Sequence, residues 1–356
     1  MAPSSFSCLF GVTPPPVTVT GEKYDKYVAS TVAAVLAASK GEEARRSSSD
    51  TRWPLALVIY DVQDEPSRSG QERPFPYRPS VSPHTFCASL VDELPSGFPV
   101  ILTVAAFDRS PSDEPLLSLL NGKPVPNTAG CLVVGKCGAS SPPDSISDTF
   151  PNLASLVSSF APKFTKYVLG GIALPERNLS GRGEGREGKL MCHKTKAGIT
   201  FFTTQVVYDA DAAIILLRDY AAALAEEGDS SVEPAKVYLT FAPFSRSSVL
   251  SFLRWLGVSV PASTAARVLS TKAQPPLSQL ASAAATSVDI VVEIYRRILD
   301  AVRRMELAVP VGFLVEAVSH YGAEVQAVPT MAARLGDVLA QHEEELGSSK
   351  RARVAQ

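Results

Sequence analysis

Residues 167–178 read Tyr167-Val-Leu-Gly-Gly-Ile-Ala-Leu-Pro-Glu-Arg-Asn178, and residues 199–209 form a second apolar run, Ile199 to Val207, closing on Tyr208-Asp209. Each run is short and rich in β-branched or aromatic residues, and each is followed by a stretch with helical spacing: Glu187 to Lys196 after the first, Ala210 to Ala225 after the second. Apolar strands alternating with amphipathic helices build a parallel sheet, because parallel neighbours must be joined by a crossover long enough to hold a helix.

The same alternation extends in both directions. Upstream lie runs at Ser5 to Val12, Leu55 to Val62, Pro99 to Phe107 and Gly130 to Val134; downstream lie Lys236 to Ala242 and Pro310 to Ala317. Intervening helical patterns fall at Glu22 to Ala38, Pro83 to Glu93 and Ser245 to Leu256, with a long Ala-rich helix ending near Met305. Eight right-handed βα units in series close most economically into a (β/α)8 TIM barrel; an open doubly wound sheet is the competing arrangement. The spacing predicts one barrel domain over 1–346, with a charged C-terminal helix from Ala323 to Glu345 and a disordered tail over 347–356. Lys40 to Arg52 reads as a solvated loop. The Pro- and Arg-rich segment through Arg78 is a long loop in the N-terminal half, and a loop of that length in a compact domain generally serves a function.

Composition narrows the partners. The 356 residues are 45% hydrophobic, enough for a large core, and 34 basic against 36 acidic side chains leave no field that would draw nucleic acid or an anionic membrane. Met1 to Phe10 carries no basic n-region or long apolar h-region, and no apolar run is long enough to span a bilayer, so neither targeting nor membrane insertion is expected. Its five cysteines, Cys8, Cys87, Cys131, Cys137 and Cys192, are scattered without ligand spacing and read as reduced thiols, so a cytoplasmic protein that acts on a small molecule is the expectation. Homo-oligomerisation is left open by the sequence.

In a barrel, the residues just beyond each strand converge on one rim. Here they are Asp61, Gln63, Asp64, Glu65, Asp108, Lys136, Glu176, Arg177, Gln205, Tyr208, Asp209, Glu316 and Ser319. No metal is expected, because Asp61 and Asp64 have no His or Cys nearby in the sequence. Ser319 and His320 lack a placed third partner for a nucleophilic triad. Gly181-Arg182-Gly183-Glu184-Gly185 lacks the strand-to-helix setting of a dinucleotide fingerprint and reads as a flexible turn.

Three linked elements carry a family resemblance: the strand ending in Leu174-Pro175-Glu176, the turn Lys194-Thr-Lys-Ala-Gly198, and the strand ending in Thr204-Gln205-Val206-Val207-Tyr208-Asp209. Together they resemble the fifth and sixth units of methylenetetrahydrofolate reductases, and a weaker likeness runs from about residue 5 to residue 320. The resemblance implies a flavoprotein of one-carbon metabolism, an oxidoreductase in which NADH or NADPH reduces FAD and the flavin reduces a folate one-carbon unit or a related heterocycle. It implies Gln205 and Tyr208 on the folate, and Lys194, Lys136, Asp108 and Glu176 on the cofactor.

The departures are equally specific. Gly11 stands where the family carries its catalytic Glu, Gly135-Lys136 replaces an acidic residue beside the flavin, and Leu174 replaces a tyrosine. A glycine cannot protonate a substrate, so an acid must come from Glu65, Glu176 or Glu316 if folate chemistry persists. The competing reading is a catalytically degenerate barrel that binds a folate or a flavin.

Overall fold

The structure, a computed structural model, describes residues 6–43, 55–65, 70, 72–110, 112–135, 149–179, 186–228, 232–270 and 276–354. Along the chain run β1 (Cys8–Val12), α1 (Glu22–Glu43), β2 (Leu55–Ile59), α2 (Pro83–Val91), β3 (Val100–Ala105), α3 (Glu114–Leu120), β4 (Gly130–Val134), α4 (Leu153–Phe160) and β5 (Val168–Ala173). Then come α5 (Glu176–Leu179), α6 (Arg186–Lys196), β6 (Phe201–Val206), α7 (Ala210–Glu227), β7 (Lys236–Phe241), α8 (Ser247–Trp255), α9 (Ala262–Leu269), α10 (Pro276–Arg304), β8 (Val311–Val315) and α11 (Gly322–Val354).

The eight strands are parallel and close in sequence order, with β1 paired to both β2 and β8. Closure decides between the two expected arrangements: this is a (β/α)8 barrel, and the open sheet is excluded. Helices α9 and α10 account for the long connection between β7 and β8. Two boundaries differ from the sequence reading. Helix α1 continues to Glu43, into the predicted loop, and α11 continues to Val354, past Gly347, where the tail was expected to begin. Charge-rich composition resembles that of a loop, but neither segment contains a proline that would force the helix to stop. No helix among the described residues is long and apolar enough to cross a membrane, and Cys8, Cys87, Cys131 and Cys192 are buried free thiols. Cys137 lies outside the described residues.

The core has two shells. One lies between strands and helices; the other fills the barrel with Phe6, Leu9, Ala56, Val58, Ile101, Leu132, Val168, Phe201, Tyr238 and Leu314. These inner residues follow from the two-residue period of a strand, which sends alternate side chains inward. At the amino-terminal end of the strands the Phe6 carbonyl closes the barrel, accepting from Lys236 Nζ at 2.6 Å and from the Tyr238 hydroxyl at 2.9 Å. Burial depresses the Lys236 ammonium to a pKa of about 8, against an opposing pull from Glu343.

Gly170 belongs to this inner packing: a Cβ there would lie 2.2 Å from Cζ of Phe201. Gly170→Ala is therefore expected to cost roughly 1–3 kcal/mol by overpacking, read as a lower denaturant midpoint. Adding Phe201→Leu to that variant should recover part of the loss.

Candidate functional site

One strand step above the apolar inner shell the barrel turns polar. Two residues beyond Val58, Ile101, Phe201, Tyr238 and Leu314 come Tyr60, Thr103, Thr203, Thr240 and Glu316, while beyond Leu132 comes Val134. These residues line a cavity of about 670 Å³ at the carboxyl end of the strands, within the range typical of small-molecule sites. Ile172, Leu174 and Leu132 give it an apolar wall on the β4–β5 side.

The Thr103 side chain, in a residue only 7% exposed, has no hydrogen-bond partner for its Oγ1 among the described residues. Thr240 is satisfied within the sheet: its Oγ1 donates to the Thr204 carbonyl at 2.7 Å, across a register shift in β6. Gln205 lies at the same level, its Nε2 donating to the Leu256 carbonyl at 3.5 Å and its Oε1 accepting from Val206 N at 3.0 Å. Its amide is therefore anchored to loop backbone while the residue borders the cavity.

Glu316 follows β8 and lines the cavity, where the Tyr60 phenol stands beside it and favours its charged form. Burial raises the carboxyl pKa to about 7, and Tyr60 only partly offsets this. Burial likewise pushes the Tyr60 phenol well above its usual range, with the nearby Glu316 charge adding to the effect. The phenol fills the space next to Gly11: a Cβ built on Gly11 would lie 2.4 Å from the Tyr60 hydroxyl oxygen.

Asp61 is held differently. Its carboxylate accepts from Arg109 Nε at 2.8 Å and Nη2 at 2.6 Å, from Ala105 N at 3.0 Å and from Gln63 Nε2 at 2.7 Å. This bidentate pair ties the end of β2 to β3 and neutralises the acid, so Asp61 contributes shape to the cavity wall more than charge.

Residues 72–80, the described return of the long loop after β2, lie at the mouth. This return is fixed by Val17 N donating to the Pro79 carbonyl at 2.9 Å and Val81 N to the Pro15 carbonyl at 2.8 Å. At its far point Arg73 stacks over Trp255 with its guanidinium carbon 4.7 Å from the ring centroid, and pairs with Asp64 at 3.0 Å. Phe75 packs on Phe252 at 5.5 Å. The strap thus spans from β1 and β2 to α8, and it brings Arg73, Phe75, Tyr77 and Arg78 to the cavity. His320 lines the same mouth with its pKa lowered by burial and by Arg78.

No protein family matches the chain, and no curated protein matches it. Among solved structures, an uncharacterized protein from Clostridium thermocellum that binds two copies of 5-methyl-5,6,7,8-tetrahydrofolic acid superposes with a TM-score of 0.67 at 21% identity, over 94% of this chain and 96% of that one. The active domain 2 of a thermostable chitinase from Pyrococcus furiosus follows with a TM-score of 0.43 at 10% identity, over 96% of each chain. A GH10 endoxylanase from a sugarcane soil metagenome gives a TM-score of 0.43 at 10% identity, over 94% of this chain and 97% of that one. The first of these likenesses shows a shared fold.

Of the residues singled out in the sequence, the cavity gathers Asp61, Glu65, Gln205, Glu316 and Ser319. Others are placed elsewhere. Tyr208, expected on the substrate, is 1% exposed; its hydroxyl donates to the Ala242 carbonyl at 2.6 Å and lies 2.7 Å from Ser287 Oγ. It is a core phenol that joins the end of β7 to α10. Lys194, expected on a flavin phosphate, lies on α6 and donates from Nζ to the Ile172 carbonyl at 2.8 Å, behind the strands and away from the cavity. Burial there lowers its ammonium pKa, against a pull from Glu187.

Glu176 accepts from Ser259 N at 3.3 Å, Asp108 closes a short turn after β3, and neither borders the cavity. Lys136 and the glycine-rich turn at 181–185 lie outside the described residues. The Ser319 hydroxyl donates to Glu324, which excludes a triad with His320. Among the described residues no group of side chains could hold a metal ion. Tyr60, Thr103, Thr203, Arg73 and Arg78 were not singled out in the sequence. The strand period, counted inward from the apolar shell, would have found the first three.

Two outcomes test this geometry. Asp61 is only 3% exposed, so Arg109→Ala should cost about 3–5 kcal/mol by stranding a buried charge, measured by equilibrium unfolding. Gly11→Glu should lower the melting temperature because Tyr60 occupies the space, and Gly11→Glu combined with Tyr60→Ala should be more stable than Gly11→Glu alone.

Proposed function

We propose that the cavity binds a reduced pterin of the folate type, with the heterocycle on the floor and an anionic tail at the mouth. The observation that carries this reading is the gradient of chemistry along the cavity. Tyr60, Thr103, Gln205 and Glu316 offer hydrogen bonds at the floor, Leu132, Val134, Ile172 and Leu174 offer apolar walls, and Arg73 and Arg78 border the mouth. A pteridine edge takes donors and acceptors together, which an amide and a carboxyl in one cavity can supply. A benzoyl linker suits the walls, and a carboxylate suits Arg78, which makes no ion pair among the described residues. The folate bound by the Clostridium thermocellum protein of the same fold supports the same ligand class.

The flavin implied by the resemblance does not fit the cavity lining. Lys194 is committed to a backbone carbonyl behind β5, and Asp108 and Glu176 stand outside the cavity. Arg73 and Arg78, the Lys or Arg side chains that line the cavity among the described residues, stand on the strap at the mouth. The folate-binding barrel is therefore preferred to the flavin-dependent oxidoreductase.

Titration with 5-methyltetrahydrofolate in the absence of flavin tests the reading and should show saturable binding. Because Arg78 is exposed, its pair with the tail is worth about 1 kcal/mol, so Arg78→Ala should weaken that ligand roughly fivefold. A tetrahydropterin without the tail should be unaffected by the substitution. A flavin absorbance band in the purified protein, bleached by NADH or NADPH, would overturn the reading in favour of the flavoprotein.

A further inference from the structure

We infer that Thr103 is the specificity-determining residue of the cavity, its hydroxyl meeting the aminopyrimidine edge of the bound pterin. The inference rests on the ligand reading above and assigns one edge of that ligand to one side chain. It starts from the hydrogen bonds that the barrel already makes. Thr204 Oγ1 accepts from Thr240 N at 2.9 Å, Thr240 Oγ1 donates to the Thr204 carbonyl at 2.7 Å, and both polar atoms of the Gln205 amide are bonded to backbone. Each of these groups must give up or share a bond before it serves a ligand. Thr103 differs: its Oγ1 is buried and has no partner among the described residues. Arg73, also on the lining, has a buried Nε without a partner there, but its guanidinium is committed to Asp64 and Trp255.

Position adds a second argument. Thr103 is in register with Leu132 of β4, and the pairing of Ile59 with Leu102 brings Tyr60 to its other side. The side chain therefore stands where the polar part of the floor meets the apolar β4–β5 wall. It also lies deep, within β3 and one step above the apolar tier, whereas Arg78 is on the strap at the mouth. In a folate the anionic tail and the aminopyrimidine ring are at opposite ends of the molecule. A tail at Arg78 thus sends the aminopyrimidine edge to the floor.

That edge presents an amino group beside ring nitrogens and a carbonyl, and a hydroxyl both donates and accepts. Turning about the Cα–Cβ bond brings Thr103 Oγ1 to the edge without breaking any bond to a described residue. An apolar side chain of the same shape would instead leave the polar edge buried without a partner, and that loss exceeds the net worth of an ordinary hydrogen bond. A heterocycle without such an edge gains nothing from Thr103. The residue discriminates on that difference.

The test compares the unmodified protein, Thr103→Val and Thr103→Ser by titration with three compounds: 5-methyltetrahydrofolate, a tetrahydropterin without the tail, and p-aminobenzoylglutamate, which lacks the pterin. Thr103→Val keeps the shape and removes the hydroxyl, so it should weaken the first two about tenfold each and leave the third unchanged. Thr103→Ser keeps the hydroxyl and should bind all three within about threefold of the unmodified protein. Without ligand, Thr103→Val should melt no lower than the unmodified protein, because an apolar group replaces a buried hydroxyl that has no partner among the described residues. Equal affinity of Thr103→Val and the unmodified protein for 5-methyltetrahydrofolate would overturn the assignment and leave the ligand reading standing. A loss that spares the tetrahydropterin would place Thr103 at the tail, and a lowered melting temperature would show the hydroxyl bonded in the free protein; either would overturn the assignment too. Failure of the unmodified protein to bind 5-methyltetrahydrofolate or the tetrahydropterin would overturn the ligand reading and this inference with it.

Discussion

The contact between the Tyr60 phenol and the bare backbone of Gly11 organises the floor of the cavity. A barrel of eight strands is just wide enough for its inward side chains to fill it, so any position without a side chain must be filled from a neighbour. At Gly170 the filler is Phe201, and the result is solid apolar core. At Gly11 the filler is a tyrosine, whose polar end lies at the cavity that Glu316 also lines. Packing and polarity are thereby joined in one residue, because the group that closes the gap also presents a hydroxyl to the cavity.

A second constraint acts at the mouth. Asp61 spends its charge on Arg109, which braces the ends of β2 and β3, and from that braced edge the strap runs across to Phe252 and Trp255. Arginine stacked on an aromatic face keeps its charge while losing little flexibility beyond what the loop already fixes. The described part of the strap therefore sets Arg73 and Arg78 at the entrance, above a floor whose carboxyl, Glu316, has its pKa raised by burial.

Much of this was legible in the sequence, and the misses have physical causes. The alternation of runs gave all eight strands because each strand in such a barrel is buried on both faces and reads as a continuous apolar segment. Glu316 and Gln205 were visible as strand-end polar residues and do border the cavity. Tyr208 was misplaced because a strand-end residue points inward or outward according to parity, and a motif match carries no parity; three residues beyond Gln205, past a register shift, its ring enters the helix layer. Lys194 sits on a helix outside the strands, where its long stem reaches a backbone carbonyl that sequence spacing could not reveal. Tyr60 was overlooked because its importance comes from a glycine on another strand, a pairing that appears only once the barrel is closed.

The most direct measurement is a crystal structure of the protein with 5-methyltetrahydrofolate bound near neutral pH. The account predicts the pteridine ring on the cavity floor, with a ring nitrogen within hydrogen-bond distance of the Glu316 carboxyl and the glutamate tail directed toward Arg78. A ligand bound outside the barrel mouth, or a pteridine turned so that Glu316 and Tyr60 touch no ring nitrogen, would contradict it.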